Sequence, residues 1–313
     1  MQVVTGVDIG GTDIKIGLVT HDGKVERSGK IPTRPEEGPG AAAARVRDWL
    51  NGQGVAAGEP GTAGVACAGL IDRESGSIIT SPNLKGWEGA EIGGIFSSAL
   101  SVPVYVENDA SAAAFGEYRM GAGRGTKDFA CLTLGTGIGG GFVTGGVLYR
   151  GFHGLAGEIG HTIIMIDGPE CSCGNRGCLE AFVGAGYIVE RARAALESEP
   201  ESELHRLAQI TVEDISIAAS KGDRLAMNVL KETGYYLGVG LCNLIHIMDP
   251  EVIAIGGGVA GAGELILEPA RAAIRDCVMH EVLAGARIVR AELGNRAAMI
   301  GVSILAGIES GAV

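Results

Sequence analysis

Three cysteines and one histidine form the sequence pattern with the clearest chemistry. Cys171, Cys173 and Cys178 have the spacing C-x-C-x4-C, and His161 lies ten residues upstream of the first of them. Thiolate sulfur and imidazole nitrogen are ligands that tetrahedral Zn²⁺ prefers, and four protein ligands leave no open coordination position. The pattern therefore predicts a structural zinc site. A disulfide is disfavoured because two cysteines separated by one residue are too close for an unstrained bridge.

Two glutamates lie beside these four residues. Glu158 precedes His161 in the segment GLAGEIGH, and Glu180 follows Cys178. A zinc ion bound to one ring nitrogen of His161 would leave the other nitrogen free to bind a substrate hydroxyl. Because both glutamates are close to these ligands, we expect them to belong to a functional site. The alternative is that both are solvated surface acids.

Asn108 and Asp109 are the strongest candidates for catalysis. They stand between segment 104–106, which predicts a strand, and the Ala-rich segment 110–120, which predicts a helix. Ligand residues of open α/β sheets follow strands in this way. A helix N-terminus stabilises an ionised carboxylate, so Asp109 could accept a proton from a substrate hydroxyl, as the aspartate of phosphoryl transfer does. The alternative is that both residues only cap the helix.

Three glycine-rich turns would let the backbone approach a phosphate closely. In DIGGT, Asp8–Thr12, the Thr12 hydroxyl could add a donor and Asp8 could hold a metal ion that bridges phosphates, although an ordinary hairpin turn is also possible. GTGIGGG, Gly135–Gly141, contains a G-x-G-x-x-G match. The residues after it predict a strand, whereas the dinucleotide-binding fingerprint requires a helix, so a second phosphate-binding hairpin fits better. Gly256–Gly258 is a third such turn, and a helix-entry turn is equally compatible with it.

The elements that must position these residues alternate between strands and helices. Strands are predicted at 2–8, 14–20 and 24–31, and a similar strand–glycine turn–strand unit returns at 129–148. This internal repeat predicts a duplicated α/β fold with two similar halves. The second half is predicted to be mainly helical, with helices at 179–197, 201–209, 211–220, 223–248 and 264–280, before a final helix at 297–307. Gly238 and Gly240 fall inside one of these helices, where we expect close helix packing.

Composition excludes several classes of protein. The chain has 313 residues, 46% of them hydrophobic, with a mean hydropathy of +0.25, which excludes a disordered chain. Its net charge of −12 disfavours a nucleic-acid surface, although backbone N–H groups can still hold an anionic cofactor. No apolar run reaches the roughly 18 residues of a membrane span, and the N-terminus does not resemble a signal peptide. Seven cysteines, an odd number, with one tight cluster are typical of a reduced cytoplasmic protein.

The order of the motifs resembles the ROK family of bacterial sugar kinases and repressors. The resemblance runs from residue 8 to about residue 301 and rests on DIGGT, PNLKGW, ENDASAAAFGE, LGTGIGGG, GLAGEIGH, CSCGNRGCLE and DPEVIAIGGGV. The combination of GEIGH with CSCGNRGCLE is its most specific part. Ser111 and Asn295 depart from residues common in the family, and neither is an expected ligand.

The resemblance implies a duplicated actin-like, hexokinase-type ATPase fold of the ribonuclease H-like kind, with two domains flanking a cleft. A small N-terminal α/β domain would cover 1–118 and be joined by the C-terminal helix 297–313. A larger α/β domain, 119–296, would carry the zinc-binding loop. The resemblance also implies ATP, Mg²⁺ and structural Zn²⁺ as cofactors, and a homodimer or higher homo-oligomer.

Site residues follow from the same resemblance. Asp109 would be the catalytic base. The sugar would be held by Asn83, Asn108, Asp109, Glu158, His161 and Glu180. The ATP phosphates would lie on Gly10, Gly11, Thr12, Thr136 and Gly137, with Mg²⁺ near Asp8 and adenosine near Gly257 and Gly258. Zinc would be bound by His161, Cys171, Cys173 and Cys178.

The implied activity is ATP-dependent phosphorylation of the 6-hydroxyl of a hexose, with glucose as the first expectation. N-acetylmannosamine, N-acetylglucosamine and fructose suit the same polar residues, and polyphosphate could replace ATP as the donor. A sugar-sensing transcriptional repressor is disfavoured because DIGGT begins at residue 8, which leaves no room for an N-terminal helix-turn-helix domain. An NAD-dependent oxidoreductase rests only on the glycine fingerprint rejected above.

Overall fold

The computed structural model of the chain describes residues 3–281 and 283–311. Its strands are β1 (Val3–Ile9), β2 (Asp13–Thr20), β3 (Val25–Pro32), β4 (Ala63–Cys67), β5 (Leu70–Asp72), β6 (Ser77–Thr80), β7 (Val104–Asn108), β8 (Phe129–Leu134), β9 (Ile138–Thr144), β10 (Val147–Tyr149), β11 (Val252–Gly256) and β12 (Arg287–Arg290). Its α-helices are α1 (Gly38–Gly52), α2 (Ile92–Leu100), α3 (Asp109–Met120), α4 (Glu180–Val183), α5 (Ala185–Leu196), α6 (Val212–Ser220), α7 (Arg224–Met248), α8 (Glu264–Cys277) and α9 (Ala297–Glu309). Gln2 of the first predicted strand, and residues 1, 2, 312 and 313 of the predicted small domain, lie outside the described residues.

Two five-stranded sheets share one plan. The first has the strand order β3-β2-β1-β4-β7, and the second has the order β10-β9-β8-β11-β12. In the first, β1 is antiparallel to β2, with Val3 opposite Thr20, and parallel to β4, with Thr5 opposite Ala63. In the second, β11 is parallel to β8 and to β12. A third, two-stranded sheet pairs β5 with β6. The sheets confirm the predicted duplicated α/β fold.

The chain divides into two compact units. The first consists of 1–124, 141–157 and 293–313, and the second of 125–140 and 158–292. These units assign 119–124, 141–157 and 293–296 differently from the predicted domain boundaries, which stay a prediction. Gly141 illustrates why 141–157 joins the first unit, since a side chain there would collide with Ala114 of α3.

Helix α9 packs against the first sheet and α3 in the first unit. Residues 297–307 are all buried, in agreement with the predicted last helix. Glycines allow this contact: a side chain at Gly6 of β1 or at Gly64 of β4 would collide with the α9 backbone. Gly301 of α9 similarly faces the backbone of α3. Since α3 begins at Asp109, this packing fixes the helix whose N-terminus carries the candidate base.

Helices α7 and α8 form a close pair in the second unit. A side chain at Gly238 of α7 would collide with Ala270 or Ala273 of α8, and one at Gly240 would collide with Leu179. These contacts confirm the close packing expected at both glycines. Among the described residues, none of the helices combines the length and apolar character needed to cross a membrane.

The predicted helix at 179–197 is broken at Gly184, which separates α4 from α5. Gly184 is extended, with φ −65° and ψ 145°, and its N–H donates to the Glu180 carbonyl at 2.8 Å. The next N–H, of Ala185, donates to the carbonyl of Gly135 at 2.9 Å. The helix is therefore interrupted where it contacts the second glycine turn.

Other predicted elements also differ in extent. The predicted helix at 201–209 is only a 3-10 turn over Glu203–Arg206, where Asp223 accepts hydrogen bonds from Ser202 and from the Glu203 N–H. The helix predicted at 264–280 ends at Cys277. Strand β9 begins at Ile138, so most of the GTGIGGG segment is strand rather than turn.

Candidate active site

Asn108 is the N-cap of α3. Its side-chain oxygen accepts a hydrogen bond from the Ser111 N–H at 2.9 Å, and its amide donates to the Gly69 carbonyl at 2.9 Å. Asn108 therefore caps the helix, which is the role that the alternative interpretation of this pair predicted. Asp109 is the first residue of the helix, and one carboxylate oxygen accepts from the Ala110 N–H at 2.9 Å. The other carboxylate oxygen is not used by these bonds.

Asp109 as a whole residue is half-buried, and its carboxyl is close enough to Asp8 for the two charges to interact. Burial, and secondly the negative charge of Asp8, raise the pKa of Asp109 to about 7. Two carboxyls in one region raise each other's pKa because both resist ionisation together. A carboxylate with a pKa near neutral pH suits a general base, since it is partly ionised yet still accepts a proton readily.

Asp8 lies at the end of β1 and pairs across the sheet with Lys15 of β2. The Lys15 ammonium is 2.7 Å from Asp8 Oδ2, and Asp8 is buried. Burial raises the pKa of Asp8 while Lys15 opposes the shift. Sequence reasoning missed Lys15. Lys15 is the one charged residue of the predicted strand 14–20, and this isolated charge was the signal that could have identified it.

The first glycine turn is a tight connection between β1 and β2. Gly10 N–H donates to the Asp13 carbonyl at 3.0 Å, and the Thr33 hydroxyl donates to the Gly10 carbonyl at 2.6 Å. A Cβ at Gly11 would lie 3.2 Å from Asn83, so the predicted sugar ligand Asn83 is adjacent to this turn. Thr12 and Asn83 are exposed. The structure thus brings Asp8, the turn, Asn83 and Asp109 into one unit.

The second glycine turn contacts Glu180. The Gly135 N–H donates to the Gly137 carbonyl at 2.9 Å, and Thr136 is exposed at the tip. The Ile138 N–H donates to Glu180 Oε2 at 3.0 Å, and a side chain at Gly137 would press on the same carboxylate. Buried Glu180 is therefore part of the wall behind this turn.

The third glycine turn follows β11. Gly257 has φ +85°, and a side chain there would collide with the Leu134 backbone, so glycine is required. Gly258 precedes the 3-10 turn Val259–Ala262. A cavity of about 410 Å³ lies beside it, between α6 and the start of α8, with Ser216, Ile217, Gly261 and Leu265 among its lining residues.

The four predicted zinc ligands lie together. The ligand atoms of His161, Cys171, Cys173 and Cys178 are all within 4.8 Å of one another. His161 Nδ1 is 3.7 Å from Cys171 Sγ, and Cys173 Sγ is 3.7 Å from Cys178 Sγ. Zn–S bonds of about 2.3 Å give tetrahedral edges of about 3.8 Å. A hydrogen bond from the Asn175 backbone is the main cause that lowers the pKa of Cys173 to about 7, which favours a thiolate ligand.

Two of the predicted sugar ligands lie beside this cluster. His161 Nε2, on the far side of the ring from Cys171, is 3.9 Å from Glu158 Oε2. Burial raises the pKa of Glu158, His161 opposes the shift and Glu180 adds to it. Glu180 Oε1 accepts from the Ser172 hydroxyl at 2.7 Å. Ser172 was missed by sequence reasoning, because nothing in the spacing C-x-C marks the middle residue.

Comparisons with known proteins agree with the sequence motifs. The profile of the ROK family matches residues 4–308. A glucokinase of Streptomyces coelicolor is 35% identical over 320 residues, covering 98% of this chain and 98% of that protein. A glucokinase of Halalkalibacterium halodurans is 36% identical over 305 residues, covering 95% of this chain and 92% of that protein.

A solved structure is similar over nearly the whole chain. The ROK family glucokinase from Streptomyces griseus, in complex with glucose and AMPPNP, has a TM-score of 0.83 and 35% identity, covering 97% of this chain and 99% of that chain. This similarity confirms the predicted actin-like, hexokinase-type fold. With the family match over residues 4–308 and full-length relatives at this identity, the chain belongs to the ROK family.

Proposed function

We propose that the chain is an ATP-dependent glucose kinase that phosphorylates the 6-hydroxyl of the sugar. The observation that carries the proposal is the full-length similarity to glucokinases, one of which was solved with glucose and AMPPNP. The geometry supports it, because a carboxylate with a raised pKa stands at the start of α3, in the same unit as the first glycine turn. Any other sugar whose hydroxyl is phosphorylated at this site would need the same carboxylate to accept the hydroxyl proton.

Asp109 is the proton acceptor in this mechanism. The 6-hydroxyl oxygen attacks the γ-phosphorus, its proton passes to the carboxylate of Asp109, and ADP leaves with the electrons of the broken P–O bond. Asn108 holds the start of α3 through its cap, so it fixes the position of the carboxylate. Most of the rate acceleration comes from such positioning and from charge stabilisation.

The nucleotide is proposed to bind along the three glycine turns. Its phosphates would lie on the backbone of Gly10–Thr12 and of Thr136–Gly137, where N–H groups other than that of Gly10, which donates to the Asp13 carbonyl, would donate to phosphate oxygens. The cavity beside Gly258 has room for the adenosine, since about 410 Å³ is within the range of small-molecule pockets. When bound near Asp8, Mg²⁺ would neutralise phosphate charge. The Asp8 carboxylate fits this ion through Oδ1, because Mg²⁺ prefers oxygen ligands and Oδ2 is paired with the Lys15 ammonium.

The sugar is proposed to bind through six side chains, which are Asn83, Asn108, Asp109, Glu158, His161 and Glu180. His161 fits a double role, because Nδ1 faces Cys171 and Nε2 remains on the side of Glu158. The carboxylates of Glu158 and Glu180 can accept hydrogen bonds from sugar hydroxyls. N-acetylmannosamine, N-acetylglucosamine and fructose kinases are the alternatives for the same site.

Zinc is proposed to be structural. The donor set of three thiols and one imidazole, with separations of 3.7 Å, fits a tetrahedral ion. His161, Cys171, Cys173 and Cys178 would hold it, and the ion would tie the loop of Ser172 to the start of α4 at Glu180. The proposal further includes a homodimer or higher homo-oligomer, which light scattering after gel filtration would test.

A coupled kinase assay tests the function. Purified protein is given glucose, N-acetylmannosamine, N-acetylglucosamine or fructose, each with Mg-ATP and, separately, with polyphosphate. We expect the highest kcat/KM with glucose and ATP. Asp109→Asn serves as the inactive control for contaminating kinases. Absence of phosphorylation of all four sugars would reject a hexose kinase, whereas preference for an N-acetyl sugar would replace glucose as the substrate.

A further inference from the structure

A buried polar cluster lies directly beside the candidate base. Arg150 Nε donates to Glu107 Oε2 at 2.8 Å, and a terminal nitrogen of Arg150 donates to the Tyr105 hydroxyl at 2.7 Å. The same hydroxyl donates to Glu107 Oε2 at 2.8 Å. The side chains of Arg150 and Glu107 are only 13% and 7% exposed. We call these three residues the Arg150 cluster.

The cluster is joined to Asn108 by the chain itself. Tyr105 and Glu107 are alternate residues of β7 and therefore share one face of the strand. Glu107 immediately precedes Asn108, and its second oxygen accepts from the Asn108 N–H at 3.1 Å. One carboxylate therefore binds Arg150, Tyr105 and the backbone of the residue that caps α3.

Arg150 also stands at the base of a loop. It follows β10, and its carbonyl accepts from the Ala156 N–H at 3.0 Å, which closes residues 150–156 into a loop. Gly151, with φ +70°, faces Ala156 across that closure. The chain then continues directly to Glu158, a proposed sugar ligand. One guanidinium thus connects the end of β7 with the segment that leads to Glu158.

The chemistry of the cluster suits positioning rather than reaction. Burial raises the pKa of the Tyr105 hydroxyl, so the phenol stays protonated and donates to Glu107. An arginine holds its charge and a planar arrangement of donors, which fixes both partners in direction as well as distance. A buried ion pair whose donors and acceptors are all hydrogen-bonded fixes the relative orientation of its partners. By itself, such a pair is weak evidence for stability.

We propose that Arg150, Glu107 and Tyr105 are positioning residues that set the place of Asn108 and Asp109 and of the loop leading to Glu158. The inference rests on the proposed function, in which Asp109 is the base and Glu158 a sugar ligand. None of the three residues needs to touch the sugar. A misplacement of about 1 Å at a reacting group can cost roughly a hundredfold in rate.

Steady-state kinetics of Arg150→Lys and Tyr105→Phe test the proposal. Lysine keeps the charge but lacks the planar fork, and phenylalanine removes only the hydroxyl. We expect Arg150→Lys to lower kcat at least tenfold and to raise KM for glucose, while KM for ATP changes less than twofold. Tyr105→Phe should give the same split to a smaller degree. Arg275→Lys, at an exposed pair on α8 with 3.4 Å to Glu268, is the matched control.

The outcomes separate positioning from a merely structural role. Unchanged kcat and glucose KM in folded Arg150→Lys and Tyr105→Phe overturn the proposal, and so does a lower Tm with normal kinetics per folded molecule. If Arg150→Lys fails to fold, Tyr105→Phe alone decides. Glucose affinity by calorimetry without ATP is the readout independent of turnover. Should the wild type bind glucose but phosphorylate no sugar, the proposed function fails, while weaker glucose binding in both variants would still support the cluster.

Discussion

At the scale of single residues, the proposed chemistry depends on the charges and the burial around the carboxyl of Asp109. An aspartate in water would be fully ionised at neutral pH and a poor proton acceptor. Here burial and the neighbouring Asp8 raise the pKa of its carboxyl to about 7, while the Ala110 N–H at 2.9 Å keeps the carboxylate in place. The same burial that makes the group a better base also makes its charge unfavourable for folding.

The pH dependence of catalysis follows from this pKa. In the proposed mechanism only ionised Asp109 can accept the proton, so kcat/KM for glucose should fall about tenfold per pH unit below pH 7 and level off above it. A cation bound at Asp8 would offset one cause of the raised pKa, so the corresponding fall in kcat at saturating Mg-ATP should occur at lower pH. Profiles of kcat/KM and of kcat from pH 5 to 9 measure both dependences. A profile that is flat down to pH 5 would exclude Asp109 as a base with this pKa.

Asp109→Asn should separate activity from stability. The folded-state pKa of Asp109 lies above its unfolded value, so its favourable contribution is complete below about pH 4 and is lost as pH rises towards 7. Asparagine has no such dependence. We expect the variant to lose at least a thousandfold in kcat, and its Tm relative to wild type to be higher at pH 8 than at pH 5. Exposed Asp276→Asn is the control. A relative Tm that does not change between the two pH values would contradict the raised pKa of Asp109.

At the scale of elements, strand–turn–strand units were predictable and side-chain partnerships across the chain were not. The pattern of DIGGTDIKIGLV and LTLGTGIGGGFV identified both glycine turns, because alternating apolar residues and glycine are local signals. The grouping of His161, Cys171, Cys173 and Cys178 was predictable from their spacing. In contrast, the break at Gly184 results from contact with Gly135, and the carboxylate of Glu117 accepts from the Ala122 N–H and from the Leu293 N–H, which lies 176 residues away. Local periodicity carries no information about such partners.

The loop from Cys171 to Cys178, which is proposed to bind zinc, links several elements, so loss of the ion should affect both stability and sugar binding. Ser172 contacts Glu180, and Glu180 in turn holds the Ile138 N–H behind the second glycine turn. Cys173→Ser removes one ligand, so we expect loss of zinc, a Tm lower by several degrees and weaker glucose binding. Metal content by mass spectrometry, thermal unfolding and calorimetry measure the three effects. Cys277→Ser, an exposed cysteine outside the cluster, is the control.

Two results would contradict this account of the zinc loop. One is wild-type protein that is purified without zinc and is as stable and active as after zinc is added. The other is a Cys173→Ser protein that keeps stoichiometric zinc, because three remaining ligands would then suffice. A chelator titration followed by readdition of Zn²⁺ distinguishes loss of the ion from irreversible unfolding.

At the scale of the whole molecule, the repetition of one sheet plan accounts for part of the glycine content. In each five-stranded sheet a glycine turn joins two neighbouring strands, β1 and β2 in the first sheet and β8 and β9 in the second. Helix α9 packs on the first sheet at Gly6 and Gly64. The chain contains 53 glycines, and many of them allow either a backbone turn or a close approach between elements. A strongly acidic chain can accordingly hold anionic phosphates with backbone N–H groups and without a basic surface.

This arrangement predicts which ligands stabilise the intact protein. A ligand that binds only the folded state adds about 2.7 kcal/mol at a hundred times its Kd, so Mg-ATP or a non-hydrolysable analogue should raise Tm by several degrees, as should glucose. NAD should not, because the glycine segment at 135–141 continues as β9 and lacks the helix N-terminus that binds a dinucleotide pyrophosphate. Thermal unfolding with each ligand alone and with glucose plus the analogue provides the measurement. Stabilisation by NAD comparable to that by ATP would refute the assignment of these turns to a triphosphate.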